Sequence, residues 1–162
     1  MIKHERTNVY DFNFHLVWVT KYRKPVFITE EKATALKNTL LDIADRNHVE
    51  VSHLEVMPDH VHMMISFAPK FTPSSIVKAF KGGSAKQWFL KYPETKKLLW
   101  GGHLWSPSFF MSTLGNVSKE IVAQYIDSQL DKYNGGRSRR WFIPALKYRV
   151  LSTSATYSIF RQ

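Results

Sequence analysis

The sequence contains no cysteine, and this absence excludes several kinds of site at once. Disulfide bridges, zinc–thiolate centres and thiol nucleophiles all require cysteine. Any metal ion must therefore be bound by histidine, carboxylate, amide or substrate atoms. The seven histidines are the first side chains to consider as ligands.

Long hydrophobic runs are also missing. No stretch of the chain approaches the roughly 20 consecutive apolar residues that a membrane helix needs, and no charged-then-apolar leader follows Met1. We therefore expect a soluble, cytoplasmic protein with no membrane partner. A length of 162 residues, with 44% hydrophobic residues, suits one compact domain.

Acidic residues are absent from the end of the chain. Residues 132–162 hold seven of the 23 Lys and Arg residues and none of the 13 Asp and Glu residues. A basic tail of this kind can add salt-sensitive affinity for nucleic-acid phosphates, or it can simply be solvated. We predict a folded domain over residues 1–134 and a basic, aromatic extension over residues 135–162. The extension could be an added strand, a DNA-contacting arm or a poorly ordered segment.

Hydrophobic periodicity predicts the order strand, helix, strand, strand, helix, strand, helix. The predicted strands cover residues 12–21, 49–57, 60–67 and 103–113, and the predicted helices cover about 30–48, 74–91 and 119–133. Pro107 breaks the last strand, and Gly82-Gly83 weakens the second helix. Such a βαββαβ series typically forms a ferredoxin-like, RRM-like α+β fold. This is a split βαβ unit whose antiparallel sheet has helices on one face, here followed by a C-terminal helix that carries a tyrosine.

The first chemical motif is Asp59-His60-Val61-His62, at the start of the third predicted strand. Alternate side chains of a strand share a face, so we expect His60 and His62 to project together while Val61 points into the core. Two imidazoles on one strand can bind a divalent metal ion without identifying it. The alternative is a pair of half-buried histidines with ordinary hydrogen bonds, which is the commoner explanation of a bare His-x-His pattern.

The second motif lies on the last predicted helix, where Tyr125 and Gln129 are one turn apart on an otherwise apolar face. Burying an unpaired amide costs about 1–3 kcal/mol. A metal ion shared with the histidines would give Gln129 a partner. A core tyrosine with a glutamine at the rim of the apolar face is the alternative.

Together the two motifs predict phosphoryl transfer. A tyrosine hydroxyl, with a pKa of about 10, needs positioning and assistance to act as a nucleophile. A divalent ion on two histidines and an amide would leave positions for a phosphate and would stabilise the charge that develops there. Attack by Tyr125 would keep the phosphodiester energy in a phosphotyrosine bond, so that a 3′ hydroxyl could later rejoin the strands.

Five blocks of sequence occur in a fixed order. They are HLVW followed by KYR (residues 15–23), EVMPDHVH (55–62), KAFKGGSA (78–85), LWGGHLWSPS (99–108) and QYIDSQ (124–129). In these blocks the chain resembles the HUH superfamily, specifically the IS200-like single-tyrosine transposases of small bacterial and archaeal insertion sequences. The resemblance spans roughly residues 10–133, which makes residues 1–134 the expected catalytic domain.

The resemblance implies a set of roles. His60 and His62 would be ligands of a Mg²⁺ or Mn²⁺ ion, Gln129 the third protein ligand, and Tyr125 the nucleophile of a 5′-phosphotyrosine link. Asp59 would orient a histidine. Five basic residues become candidates for contacts with the DNA backbone, although each could equally be solvated surface: Lys21, Arg23, Lys78, Lys81 and Lys86.

The resemblance also implies partners. Transposases of this kind are homodimers in which the tyrosine helix of one subunit completes the metal site of the other. They recognise DNA hairpins near the ends of the element, and they excise and insert it as single strands. The expected location is the cytoplasm, in association with the nucleoid. The sequence leaves open whether the active site of this chain assembles in cis or in trans.

Three rival functions stay open. A domesticated relative would process chromosomal repetitive palindromes with the same chemistry, and the absence of hairpins flanking the gene would favour it. A non-catalytic RNA-binding module would stack bases on sheet aromatics, but the Gly-aromatic strand signature of such modules is missing. A DNA-binding repressor that has lost cleavage would not need the catalytic set, which is intact here.

Overall fold

The computed structural model describes residues 2–4 and 6–114. Within them are six strands and two long helices: β1 (Lys3–His4), β2 (Val9–Tyr10), β3 (Phe14–Val19), α1 (Glu30–Arg46), β4 (Glu50–Met57), β5 (His60–Ser66), α2 (Pro73–Lys91) and β6 (Phe110–Thr113). Three short 3-10 helices occupy Lys21–Arg23, Pro93–Leu98 and Trp100–Gly102. The predicted last helix, the boundary at residue 134 and the extension 135–162 lie outside the described residues.

The main sheet has the strand order β4-β5-β3-β6, and each neighbouring pair is antiparallel. Strand β5 lies between β3 and β4, so the β3-α1-β4 unit is split by an inserted strand. This arrangement confirms the predicted ferredoxin-like α+β fold. The small ribbon formed by β1 and β2 was not predicted from the sequence.

The core lies between the sheet and the two long helices. Strand residues alternate between faces, and one set packs against the helices: Leu16 and Trp18 of β3 and Val61, Met63 and Ile65 of β5 are in the core cluster with Leu36 and Leu40 of α1 and Phe80 of α2. Their neighbours His15, His60 and His62 are also buried but lie outside this cluster, as expected for the opposite face. The sheet therefore separates an apolar layer from a face that carries histidines.

Local capping explains where the long helices begin. The Thr29 hydroxyl accepts a hydrogen bond from the Lys32 backbone N–H at 3.3 Å, and Glu30 and Glu31 follow in the first turn. The Thr72 hydroxyl likewise accepts from the Ser75 N–H at 3.2 Å. Each cap satisfies an N–H that the helix itself leaves unpaired, and acidic residues favour the positive end of the helix dipole. No helix among residues 2–4 and 6–114 has the length and apolar character needed to cross a bilayer.

Helix α2 continues through Gly82 and Gly83, where its intrinsic propensity is weakest. Packing gives a reason for the second glycine. A Cβ atom at Gly83 would lie 2.9 Å from the Cδ1 atom of Ile43 on α1. The missing side chain at position 83 therefore lets the two helices approach each other closely.

The fourth strand of the ferredoxin-like unit is shorter than the sequence predicted. Regular pairing with β3 covers only Phe110–Thr113, and residue 105 makes a single isolated bridge to Thr20. Pro107 lacks the N–H that a continuous ladder needs. The carbonyl oxygens of residues 106–108 instead accept hydrogen bonds from the Lys81 ammonium.

Candidate active site

Strand β5 presents His60 and His62 on the face opposite the helices. Val61, between them, is fully buried in the core, as predicted. The two imidazole rings have their centroids 4.8 Å apart and meet at 70°. Because β5 is an inner strand, paired with both β3 and β4, this pair sits on a rigid part of the sheet.

His60 is held by the carboxylate of Asp59. Asp59 Oδ1 lies 2.5 Å from His60 Nδ1, and Arg23 Nε donates to Asp59 Oδ2 at 3.0 Å. Burial raises the pKa of Asp59, but the hydrogen bond from His60 and the charges of His60 and Arg23 outweigh it, leaving the pKa below its ordinary value. Asp59 is therefore an anionic acceptor beside His60, which is the contact expected of a residue that orients a ligand.

A short loop after β3 places Arg23 at this carboxylate. Tyr22 and Arg23 both have positive φ angles, 56° and 52°, a conformation that non-glycine residues seldom adopt. The loop is tied to the turn between β4 and β5, because the Thr20 backbone N–H donates to the Asp59 carbonyl oxygen at 2.8 Å. Arg23, a predicted DNA contact, thus has its guanidinium on Asp59 in this structure.

His62 is held by a second histidine on the neighbouring strand. His15 Nε2 lies 3.3 Å from His62 Nδ1, and the two ring planes are within 11° of parallel with their centroids 5.6 Å apart. Burial lowers the pKa of His15 to about 4. Burial, followed by the charges of His60 and His15, lowers the pKa of His62 well below its ordinary value. Both rings are therefore neutral near pH 7, the form in which imidazole binds metals.

Sequence reasoning did not assign His15 to the site. The signal was available in the alternation of β3, where Leu16 and Trp18 are core residues and His15 must therefore lie on the face of the histidine pair. A histidine should be tested as a neighbour of a His-x-His pair when its strand pairs with the strand of that motif and its side chain lies on the same face of the sheet.

Two neighbouring imidazoles can contribute ligand nitrogens to a divalent ion, and by themselves they do not identify it. Each imidazole of the pair has its Nδ1 atom beside a neighbouring side chain, the arrangement found for metal-ligating histidines. Within residues 2–4 and 6–114, however, no group of three His, Cys, Asp or Glu side chains could hold a metal ion. A metal ion at this pair would take its further ligand from another residue type, from another part of the chain or from substrate. The predicted ligand Gln129 lies outside the described residues, as do Tyr125 and Tyr133.

The remaining basic candidates lie on α2 and on the loop after β3. Lys78 and Lys86 are exposed on α2, and the Lys21 ammonium lies 4.8 Å from the centroid of the Tyr22 ring. Lys81 is turned inward, and its ammonium donates to the carbonyl oxygens of Ser106, Pro107 and Ser108 at 2.7, 2.9 and 3.0 Å. Burial lowers the pKa of Lys81 to about 8. All three N–H groups of the Lys81 ammonium can therefore donate to carbonyl oxygens of the loop before β6.

Comparison with protein families gives a match over most of the chain. The sequence model of the family described as "Transposase IS200 like" matches residues 8–129. The matched range contains all five sequence blocks, including His60, His62, Tyr125 and Gln129.

Individual relatives and solved structures agree. The chain is 44% identical over 131 residues to the ISDra2 transposase TnpA of Deinococcus radiodurans, covering 81% of this chain and 93% of that protein. It is 27% identical over 131 residues to the transposase of insertion sequence element IS200 from Salmonella typhimurium, covering 81% and 83%. A crystal structure of a Deinococcus radiodurans protein assigned as a transposase matches with a TM-score of 0.66 and 42% identity, covering 78% of this chain and 97% of that one. A REP-associated tyrosine transposase bound to a REP hairpin shares the fold, with a TM-score of 0.58 and 16% identity, covering 82% and 74%.

Proposed function

The chain belongs to the IS200-like transposase family, and from this premise we propose that it cleaves and rejoins single-stranded DNA at the ends of an insertion sequence through a 5′-phosphotyrosine intermediate. The family itself makes the protein a DNA-binding transposase. The observation that supports the finer mechanism is the His60–His62 pair, two imidazoles on one inner strand with each Nδ1 beside a supporting side chain.

The proposed nucleophile is the Tyr125 hydroxyl. Its oxygen bonds to the scissile phosphorus as the bond from phosphorus to the 3′ oxygen breaks, and the hydroxyl proton passes, through solvent, to that departing oxygen. The 5′ end of one fragment remains joined to the protein, and the other fragment of the cleaved strand ends in a free 3′ hydroxyl. Attack of a 3′ hydroxyl on the phosphotyrosine reverses the bond changes and joins two strands. Water is not the final acceptor, so the overall reaction is strand transfer.

In this proposal the histidine pair binds the metal ion and orients the scissile phosphate. A Mg²⁺ or Mn²⁺ ion held by His60, His62 and Gln129 would supply Lewis acidity toward the scissile phosphate. Asp59 fixes the ring of His60, and Arg23 fixes Asp59. Because these side chains lie on an inner strand and an anchored loop, they keep their positions before the substrate arrives, which lowers the cost of reaching the transition state.

We propose DNA hairpins near the ends of the element as the binding partners, with the protein working on the nucleoid in the cytoplasm. The REP-associated transposase of the same fold is bound to a hairpin, which supports this class of ligand. We further propose a homodimer in which the tyrosine helix of one subunit completes the metal site of the other. The higher identity to an insertion-sequence transposase favours this function over processing of chromosomal palindromes. Hairpins flanking the gene would support it further.

The test is covalent capture. Tyr125→Phe should abolish the protein–DNA adduct on single-stranded oligonucleotides from the flanks of the gene in Mg²⁺, because the ring remains and only the nucleophilic oxygen is lost. Hairpin binding should be retained. Tyr133→Phe is the matched control and should form the adduct as the unmodified protein does. An adduct that persists in Tyr125→Phe would place the nucleophile elsewhere, with Tyr133 next to examine.

A further inference from the structure

A basic cleft of about 540 Å³ opens between α2 and the loop that follows β3. Its walls are Lys21 from the loop after β3, one side of α2 around Lys81, Lys86 and Phe89, and the segment from Gly102 to Pro107. None of its lining residues among those described is acidic. The cleft therefore combines several cations with an apolar wall, a composition suited to an anionic ligand.

The charge of Lys81 strengthens this conclusion. Its ammonium is half-buried against three backbone carbonyl oxygens, and no ion pair within residues 2–4 and 6–114 includes it. Carbonyl dipoles satisfy its hydrogen bonds but do not neutralise its charge. A phosphate in the cleft would supply the missing negative charge without displacing the carbonyl contacts.

The cleft is also connected to the proposed reaction centre through β3. Val19 pairs with His60, and two residues later the Lys21 backbone N–H donates to the Leu104 carbonyl oxygen at 2.8 Å, at the wall of the cleft. Two extended residues span about 7 Å of backbone. The end of β3 and the loop after it therefore join the strand that pairs with His60 to the wall of the cleft.

We propose that this cleft binds a backbone phosphate of the single-stranded DNA that flanks the cleavage position, through Lys21, Lys86 and the field of Lys81. The inference rests on the proposed function, because it locates the path of that substrate. Phe89 gives the cleft an apolar wall for the sugar or base, a contact that tolerates any sequence.

The test compares two lysines. Lys86 is exposed in the cleft, and Lys97 is exposed outside it. Binding of a labelled single strand is measured by fluorescence anisotropy without divalent metal at about 50–200 mM salt. Lys86→Ala should reduce the slope of log affinity against log salt by about 0.7, the value for one phosphate contact on a single strand. Lys97→Ala should leave the slope unchanged.

The assignment of the cleft as a phosphate site would be wrong if the slope fell equally in both variants or did not fall in Lys86→Ala. It would also be wrong if the slope fell only with a blunt hairpin. Binding without metal is noncovalent and is measured separately from bond formation by the Tyr125 hydroxyl. Loss of the adduct in Tyr125→Phe and the slope for Lys86→Ala therefore report separately, and failure of one proposal is distinguishable from failure of the other.

A second inference concerns His15. The His15 Nε2 and His62 Nδ1 atoms lie 3.3 Å apart, so either His62 Nδ1–H donates to His15 Nε2 or the reverse. If Nδ1 of His62 carries the hydrogen, its lone pair is on Nε2, the nitrogen on the other side of the ring. We infer that His15 is a positioning residue that accepts from His62 Nδ1–H and so fixes the tautomer in which His62 Nε2 is the ligand atom.

Nitrogen-15 NMR of the metal-free protein reports the tautomer of His62 directly. The Nδ1–H form should dominate, and Mn²⁺ should bind about 10–100-fold more weakly to His15→Phe, which keeps a ring but has no acceptor. His15→Gln restores an acceptor oxygen and should recover part of the affinity. An Nε2–H tautomer in the metal-free protein, or equal Mn²⁺ affinity in all three proteins, would overturn the inference.

Discussion

Strands β3 and β5 each have two faces, and the faces differ in chemistry rather than in burial. Toward the helices, Leu16 and Val61 are fully buried among apolar side chains. On the opposite face, His15, His60 and His62 are almost as buried, at 5–6% exposure, but each has a polar neighbour. One pair of strands therefore supplies a face for stability and a face for reactivity. Substitutions on the two faces should affect different measurements.

The largest effect is expected at the histidine pair. His60→Ala and His62→Ala should each lower single-strand cleavage by more than about 100-fold in Mg²⁺, because losing a ligand costs more than losing a residue that orients one. Gel assays with labelled oligonucleotides measure the cleavage, and circular dichroism should show both variants folded. Unchanged cleavage in both variants would contradict the metal assignment.

Substitutions on the face of the sheet that packs against the helices should instead change the free energy of unfolding. Leu16→Ala should lower the free energy of unfolding by about 2–5 kcal/mol, since it removes a fully buried side chain from the core. Urea denaturation measures the change. The folded fraction should keep its Mn²⁺ affinity. A loss of Mn²⁺ affinity comparable to that of His62→Ala would show that the two faces are not independent.

A smaller effect is expected from the residue that supports His60. Asp59→Asn keeps the shape but loses the charge, and it should weaken Mn²⁺ binding by about 10–100-fold. Titration with Mn²⁺ followed by calorimetry measures the affinity. Asp42→Asn is the control, because Asp42 forms an exposed ion pair with Arg46 on α1. Equal affinities of the two variants would remove Asp59 from the site.

The smallest effect is a pH dependence of stability from Lys81. Its pKa in the folded protein, about 8, is below the ordinary value of 10.5, so the unfolded chain binds more protons between these values. The free energy of unfolding should therefore gain a contribution from this residue as pH rises from about 8 toward 10.5. Urea denaturation at several pH values should show a shallower rise in Lys81→Met. Parallel pH profiles would mean that the ammonium is not desolvated.

Local patterns were enough to predict much of the fold and part of the site. The alternation around Val61 placed His60 and His62 on one face, and the helical periodicity over about residues 30–48 located α1. These features depend on a few neighbouring residues, and the structure confirms them. The assignments to Tyr125 and Gln129 remain predictions.

Features that depend on distant contacts were not predictable. The contact of His15 with His62 joins residues 47 positions apart, and the end of the fourth strand depends on where the Lys81 ammonium reaches. From the sequence alone, Arg23 is a candidate for a contact with the DNA backbone or for solvated surface. In the structure, the loop with positive φ angles turns its side chain toward Asp59. Alternation along β3 indicates the face on which His15 lies, but composition and periodicity do not identify the partner of any of these side chains.

The glycine at the α1–α2 contact has a consequence for how this fold can change over time. Because a methyl group at position 83 would meet the tip of Ile43, neither site can be altered freely without regard to the other. A trimmed side chain on α1 would create the space that a larger residue on α2 requires. Substitutions at positions 43 and 83 should therefore be correlated among homologous chains. A larger residue at position 83 should occur with a smaller one at position 43, so that the spacing of the helices is preserved.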